Sequence, residues 1–194
     1  MQFIKQKTNL DCGHRVMNER MKCFHLHGHT YLTELVFSFE NSEEIGYAID
    51  FKEIKRVFVQ FLQDYMDHGS IFNPHDSVFI EAVQTAGTKL WLMSLNGSGE
   101  YCNPSVENIA KEVFLSMEII ASVLYPDEEK GLKIHTVTMY ETPNCSTDCY
   151  SYSISKIERE NFYKNNFRLI EAYSKEKGIL EYDDRKLNFT YNPE

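Results

Sequence analysis

Cys23-Phe24-His25-Leu26-His27-Gly28-His29-Thr30-Tyr31 places a thiol, then three residues, then a His-Gly-His pair, at the mouth of a segment that reads as a β-strand. Successive side chains on a strand point to opposite faces, so His27 and His29 project the same way and can offer two imidazoles to one ion. The intervening Gly28 adds no bulk beside a metal. His14, in Asp11-Cys12-Gly13-His14-Arg15, is the nearest upstream imidazole and is expected to arrive from a neighbouring strand. Three histidines suit zinc and leave a fourth position open for water or substrate, which is the catalytic rather than the closed structural arrangement. The competing reading is that alternating histidines form one polar face of a sheet. His25 shares the parity of His27 and His29, and spacing alone does not choose among them.

Downstream, His29, Tyr31, Thr33, Leu35, Phe37 and Phe39 alternate with Thr30, Leu32, Glu34, Val36 and Ser38, which predicts a strand apolar on much of both faces. Residues 40–49 read as a turn. Asp50 then reads as an N-cap with Glu53 three residues on, and Phe51, Ile54, Phe58, Phe61, Leu62 and Tyr65 recur at helical spacing up to Asp67-His68-Gly69, where the glycine is expected to end the helix. A second helix is predicted from near Pro104, taken as a first-turn position, through Leu124. Residues 134–142 and 147–154 read as two more strands around the Pro143-Asn144 turn.

The order is therefore β-β-α-α-β-β, an α+β chain. Residues 1–154 are expected to form one domain, with 74–103 an insertion loop of little periodicity. Residues 155–194 read as a C-terminal extension packed on the same domain, helical to about 180 and then polar through Tyr182-Asp183-Asp184-Arg185.

Composition narrows the function. The chain has 194 residues, 42% of them hydrophobic, and a formal charge of -9. That is enough for one domain with a sizeable core, and it leaves no basic stripe to neutralise nucleic-acid phosphates. Small-molecule chemistry is favoured. The first residues lack the apolar run of a signal peptide and no stretch is long enough to cross a bilayer, so a cytoplasmic protein is expected. Five cysteines without a compact framework fit reduced thiols.

Two further groups carry chemical potential. Asp67 beside His68 can form a proton relay, in which the carboxylate fixes the imidazole tautomer and stabilises its charged form; the alternative is an ordinary charged helix end. Glu141 lies at the polar end of the 134–142 strand, where a carboxylate can accept two hydrogen bonds from the amino and ring N–H groups of a guanine-like or pterin-like ring, or simply be solvated.

Taken together these fragments resemble the 6-pyruvoyl-tetrahydropterin synthase and 6-carboxy-tetrahydropterin synthase family. The resemblance rests on His14-Arg15, on Cys23 with His27-Gly28-His29 and Tyr31, on Gly46-Tyr47-Ala48-Ile49-Asp50-Phe51, on Met66-Asp67-His68, on Asn103-Pro104-Ser105-Val106-Glu107-Asn108, and on Glu141-Thr142-Pro143 with Cys145. It spans residues 10–152 and is far more specific than any single motif. It implies the tunnelling fold, whose antiparallel sheets and backing helices assemble into a barrel, commonly a hexamer of two stacked trimers with active sites between subunits. It further implies His14, His27 and His29 as zinc ligands, Cys23 as the catalytic base, Asp67 and His68 as the proton relay, and Glu141 as the pterin anchor. Ser105 and Glu107 fall in the second pterin-contacting segment.

The three-residue gap between Cys23 and His27 resembles the 6-carboxy enzymes of queuosine and 7-deazapurine biosynthesis, whereas the pyruvoyl enzymes commonly show a longer one. The implied substrate is 7,8-dihydroneopterin triphosphate. The chain departs from the family pattern in Asp11-Cys12-Gly13, which introduces Cys12 as a rival thiol, in the longer gap from His68 to Asn73, and in the insertion and tail.

Overall fold

A computed structural model describes residues 1–18, 22–40, 46, 48–97, 100–126 and 132–178. Its strands are β1 (Gln2–His14), β2 (His27–Phe39), β3 (Gly69–Phe72), β4 (Lys89–Leu92), β5 (Lys133–Thr142) and β6 (Cys145–Tyr150), joined in one sheet of order β4-β3-β1-β2-β5-β6. β1, β2, β5 and β6 pair antiparallel, as the family resemblance implies, while β3 runs parallel to β1 and β4 parallel to β3. The sheet is therefore mixed. β6 is an edge, and β1 meets β3 only at Cys12–His14, so most of its second edge has no strand partner among the described residues.

Two helical runs back the sheet. The first is α1 (Phe51–Ile54), a π segment (Lys55–Val59) and α2 (Gln60–Tyr65) in continuous sequence; the second is α4 (Val106–Leu124). Asp50 caps α1 as expected, its carboxylate accepting from Lys52 N at 2.8 Å, and a cap of this kind is worth about 1 kcal/mol. Phe58 of the π segment meets Phe37 of β2 with ring centroids 4.6 Å apart, and both are fully buried. Each such ring contributes roughly 1.5–3 kcal/mol by leaving water.

Two helix ends differ from expectation. The left-handed residue after α2 is His68 (φ 55°), not Gly69. Gly69 instead opens β3, where a Cβ would stand 2.9 Å from Lys89 Cβ and 3.0 Å from the Met66 carbonyl, so glycine is needed for close approach. Pro104 precedes the N-cap of α4 rather than occupying its first turn: Ser105 is the cap, and its hydroxyl accepts from Asn108 N at 3.4 Å.

The expected insertion loop carries secondary structure. Within 74–103 lie α3 (Ser77–Ala86), closed by Gly87 in the left-handed region (φ 68°), and β4. α3 is a short helix that buries none of its residues, and four-residue strands leave little alternation to read. The final strand is also shorter than predicted, with a 3-10 turn at Ser151–Ser153 taking its last residues.

α5 (Lys156–Gly178) follows and lies on α4 and the π segment, burying Phe162, Ile170 and Tyr173. Tyr173 donates to the Val57 carbonyl at 2.8 Å, a carbonyl in the π segment, where the regular i→i+4 ladder is interrupted. The polar run at 182–185, most of the 40–49 turn and the end of the 97–99 glycine run lie outside the described residues. No described helix is long and apolar enough to cross a membrane.

Candidate active site

The register of β1 and β2 builds the site. His14 pairs with His27 and Cys12 with His29, so the pleat turns His14, His27 and His29 to the face that also carries Leu10, Tyr31 and Leu35. One ligand atom from each of the three imidazoles lies within 4.8 Å of the other two. Gly28 permits the approach, since a Cβ there would stand 3.1 Å from the Cys12 carbonyl.

Backbone carbonyls orient two of the rings. His14 Nδ1 lies 2.7 Å from the Pro104 carbonyl and His27 Nδ1 2.7 Å from the His25 carbonyl. With each Nδ1–H donating to its carbonyl, each Nε2 keeps a lone pair facing the cluster, the outer support a metal-binding imidazole ordinarily has. Burial lowers the pKa of His14, favouring the neutral ring. The donor set thus fits a zinc ion. His25 takes part through its carbonyl rather than its ring, because β2 begins only at His27 and strand parity does not reach back to it.

Glu141 completes this side. Its Oε1 is 3.7 Å from both His14 Nε2 and His29 Nε2. Tyr31, fully buried, places its hydroxyl 3.1 Å from His14 Nε2, and its pKa is raised, chiefly by burial and then by the nearby Glu141 carboxylate. The sequence reading gave Tyr31 no role, although its parity with His27 and His29 was a sufficient signal.

Cys23 sits on a 3-10 turn (Lys22–Phe24) just ahead of β2, exposed, its carbonyl accepting from Val16 N at 2.8 Å. Cys12, the rival thiol, has different surroundings. Cys12 is buried, its Sγ directed to the Met66 carbonyl at 3.2 Å, and burial pushes its pKa up to about 12.

Asp67 and His68 do touch: His68 Nδ1 is 2.7 Å from Asp67 Oδ2, while Asp67 Oδ1 accepts from Asp11 N at 2.8 Å. The two cluster with the Asp11 carboxylate. Asp11 alternates with Cys12, so this group gathers on the face of the sheet opposite to the histidines, with His68 open to solvent. Within one chain the relay and the tri-histidine cluster are separated by the sheet. Ser105 and Glu107 start α4 immediately after Pro104, Ser105 engaged as the cap and Glu107 exposed.

The family model described as 6-pyruvoyl tetrahydropterin synthase matches residues 3–151. A 6-carboxy-5,6,7,8-tetrahydropterin synthase of Rickettsia bellii is 28% identical over 141 residues, covering 72% of this chain and 94% of that protein. Among solved structures, an uncharacterised protein of Wolinella succinogenes matches with a TM-score of 0.57 at 21% identity, over 77% of this chain and 98% of that one. A 6-pyruvoyl tetrahydropterin synthase of Plasmodium falciparum matches with a TM-score of 0.57 at 16% identity, over 77% and 97%. At these identities the two structures speak to the fold.

Proposed function

Because the chain belongs to the 6-pyruvoyl tetrahydropterin synthase family, we propose that it is a zinc-dependent 6-carboxy-tetrahydropterin synthase. Its substrate is 7,8-dihydroneopterin triphosphate, converted with one water to 6-carboxy-5,6,7,8-tetrahydropterin, acetaldehyde and triphosphate. The observation that carries this reading is the convergence of His14, His27 and His29 beside Glu141, next to the turn bearing Cys23. The three-residue gap from Cys23 to His27 and the names of relatives such as the Rickettsia protein support the carboxy rather than the pyruvoyl product.

Each residue has a distinct task. His14, His27 and His29 would hold the zinc ion, which would supply Lewis-acid polarisation of the hydroxyls on the substrate side chain. Cys23 removes the carbon-bound proton next to those hydroxyls, and His68, oriented by Asp67, passes protons during tautomerisation and cleavage. Glu141 accepts from the amino and ring N–H groups of the pterin. Ser105, whose oxygen already accepts as a helix cap, has its hydroxyl proton to donate to the ring, and Glu107 lies in the same segment.

The protein works in the cytoplasm on this small molecule, with no nucleic-acid partner, and assembles as a homohexamer of two trimers. The edges of β1 and β6 that have no strand partner among the described residues are the natural joins between neighbours in each barrel. Assembly also resolves the separation of the two clusters, since the relay of one chain then serves the histidine site of another. Residues 1–154 form the catalytic domain, and 155–194 an extension docked on it through α5.

The test is to incubate the zinc-loaded protein with 7,8-dihydroneopterin triphosphate and identify the pterin by mass spectrometry. The 6-carboxy product with acetaldehyde is expected. A 6-pyruvoyl product, or no turnover by folded zinc-bound protein, overturns the assignment. Normal turnover by Cys23→Ala with loss in Cys12→Ala would move the base to Cys12.

A further inference from the structure

Arg15 follows the ligand His14, and Phe24 follows Cys23. The Arg15 guanidinium makes a two-pronged contact with the Asp76 carboxylate, Nε to Oδ2 and Nη2 to Oδ1, the second at 2.7 Å. The same cation lies over two aromatic rings: Phe24 with its centroid 5.1 Å from the Arg15 Cζ, and Phe79 at 4.5 Å. Asp76 is almost wholly buried, and Asp76 and Phe79 both belong to the inserted segment, at the N-cap and first turn of α3. A two-pronged contact to a carboxylate from a cation that also lies over aromatic rings is an arrangement that arginine supports and lysine does not.

Resting on the reading of Cys23 as the base, we propose that Arg15 is a positioning residue for Cys23, and that the insertion supplies the clamp holding it through Asp76 and Phe79. Phe24 is otherwise partly exposed, at 43% of its surface, so its contact with Arg15 is a main constraint on the 3-10 turn. The Val16 N–H to Cys23 carbonyl bond is the second. Arg15 thus ties the thiol-bearing turn and the first ligand strand to one rigid point, and the vector from Cys23 to the histidines depends on a segment lacking in the six-element order read from the sequence. Asp76 is itself fixed by Asn73, whose carbonyl accepts from Asp76 N at 2.9 Å and whose side chain donates to Asn103 Oδ1 at 3.2 Å. The clamp is therefore anchored to the segment that presents the Pro104 carbonyl to His14.

The experiment compares Asp76→Asn, Arg15→Lys and Phe79→Leu in the zinc-loaded full-length protein. Zinc content, kcat, KM and hydrogen exchange at the Val16 amide are measured for each. A shift of the thiol by about 1 Å is expected to lower kcat by about 10- to 100-fold, with KM and zinc content retained and with faster exchange at Val16. Arg15→Lys is expected to behave like Asp76→Asn, since the fork rather than the charge is at work. If Asp76→Asn does not fold, Phe79→Leu decides, because it keeps the buried ion pair and removes only one aromatic ring. Unchanged kcat and unchanged Val16 exchange in the folded variants overturn the proposal. Undiminished turnover by Cys23→Ala, run in parallel, would instead show that the reading of Cys23 as base has failed.

Discussion

The separation of the two clusters by the sheet leads to a complementation experiment. Under the proposed mechanism, Cys23→Ala would remove the base carried on the turn ahead of β2, and His68→Ala would remove the relay on the face of the sheet opposite to the histidines. Each alone is expected to lower turnover by about 100-fold or more, the usual scale of general acid–base contributions. If a working site takes its thiol from one chain and its relay from another, coexpression of the two variants restores activity. Under random mixing at equal expression, a site is intact when its thiol comes from a His68→Ala chain and its relay from a Cys23→Ala chain. Each condition holds half the time, so about a quarter of the sites should be intact in a closed symmetric assembly. The assay is product formation by the purified mixture, with native mass spectrometry to establish that mixed oligomers formed. Mixed oligomers whose activity stays at the level of either variant alone would refute the reasoning, because thiol and relay would then have to act within one chain.

Other outcomes follow from single side chains. His27→Ala should lose most of its zinc while keeping its circular dichroism spectrum, since His27 starts a strand rather than filling the core; unfolding on chelation of the wild type would instead mark a structural metal. Tyr173→Phe should destabilise by about 1 kcal/mol in urea unfolding through loss of the bond to the Val57 carbonyl, and a change below ~0.3 kcal/mol would show that α5 docks by its apolar face alone. Glu112 is buried among Trp91 Nε1 and the backbone and hydroxyl of Ser94, and burial pushes its pKa up to about 7. The folded state then holds a proton that the unfolded chain has released, so stability falls as pH rises from about 4.5 to 7, by a total on the order of 3 kcal/mol. Glu112→Gln should flatten the dependence of the melting temperature on pH across that window, and an unchanged slope would assign the effect elsewhere.

The sequence by itself determined what short-range periodicity can encode. Alternation from His29 to Phe39 marks β2 and its buried face, the Asp50 cap with its aromatic stripe marks the first helix, and His27 with His29 marks a face of two imidazoles, because each signal lies within one element. Only the tertiary structure decided what rests on pairing across the chain. The register His14↔His27 selects His14 as the third imidazole, and the late start of β2 excludes the His25 ring. Burial silences Cys12, which has the same sulfur chemistry as Cys23. β3 and β4 escape the sequence reading because four-residue strands carry little alternation, and α3 because it is short and buries none of its residues. The Arg15–Asp76 clamp and the placement of Asp67–His68 on the far face join residues more than fifty positions apart. Such contacts are fixed by sheet register and packing, and no local spacing specifies them.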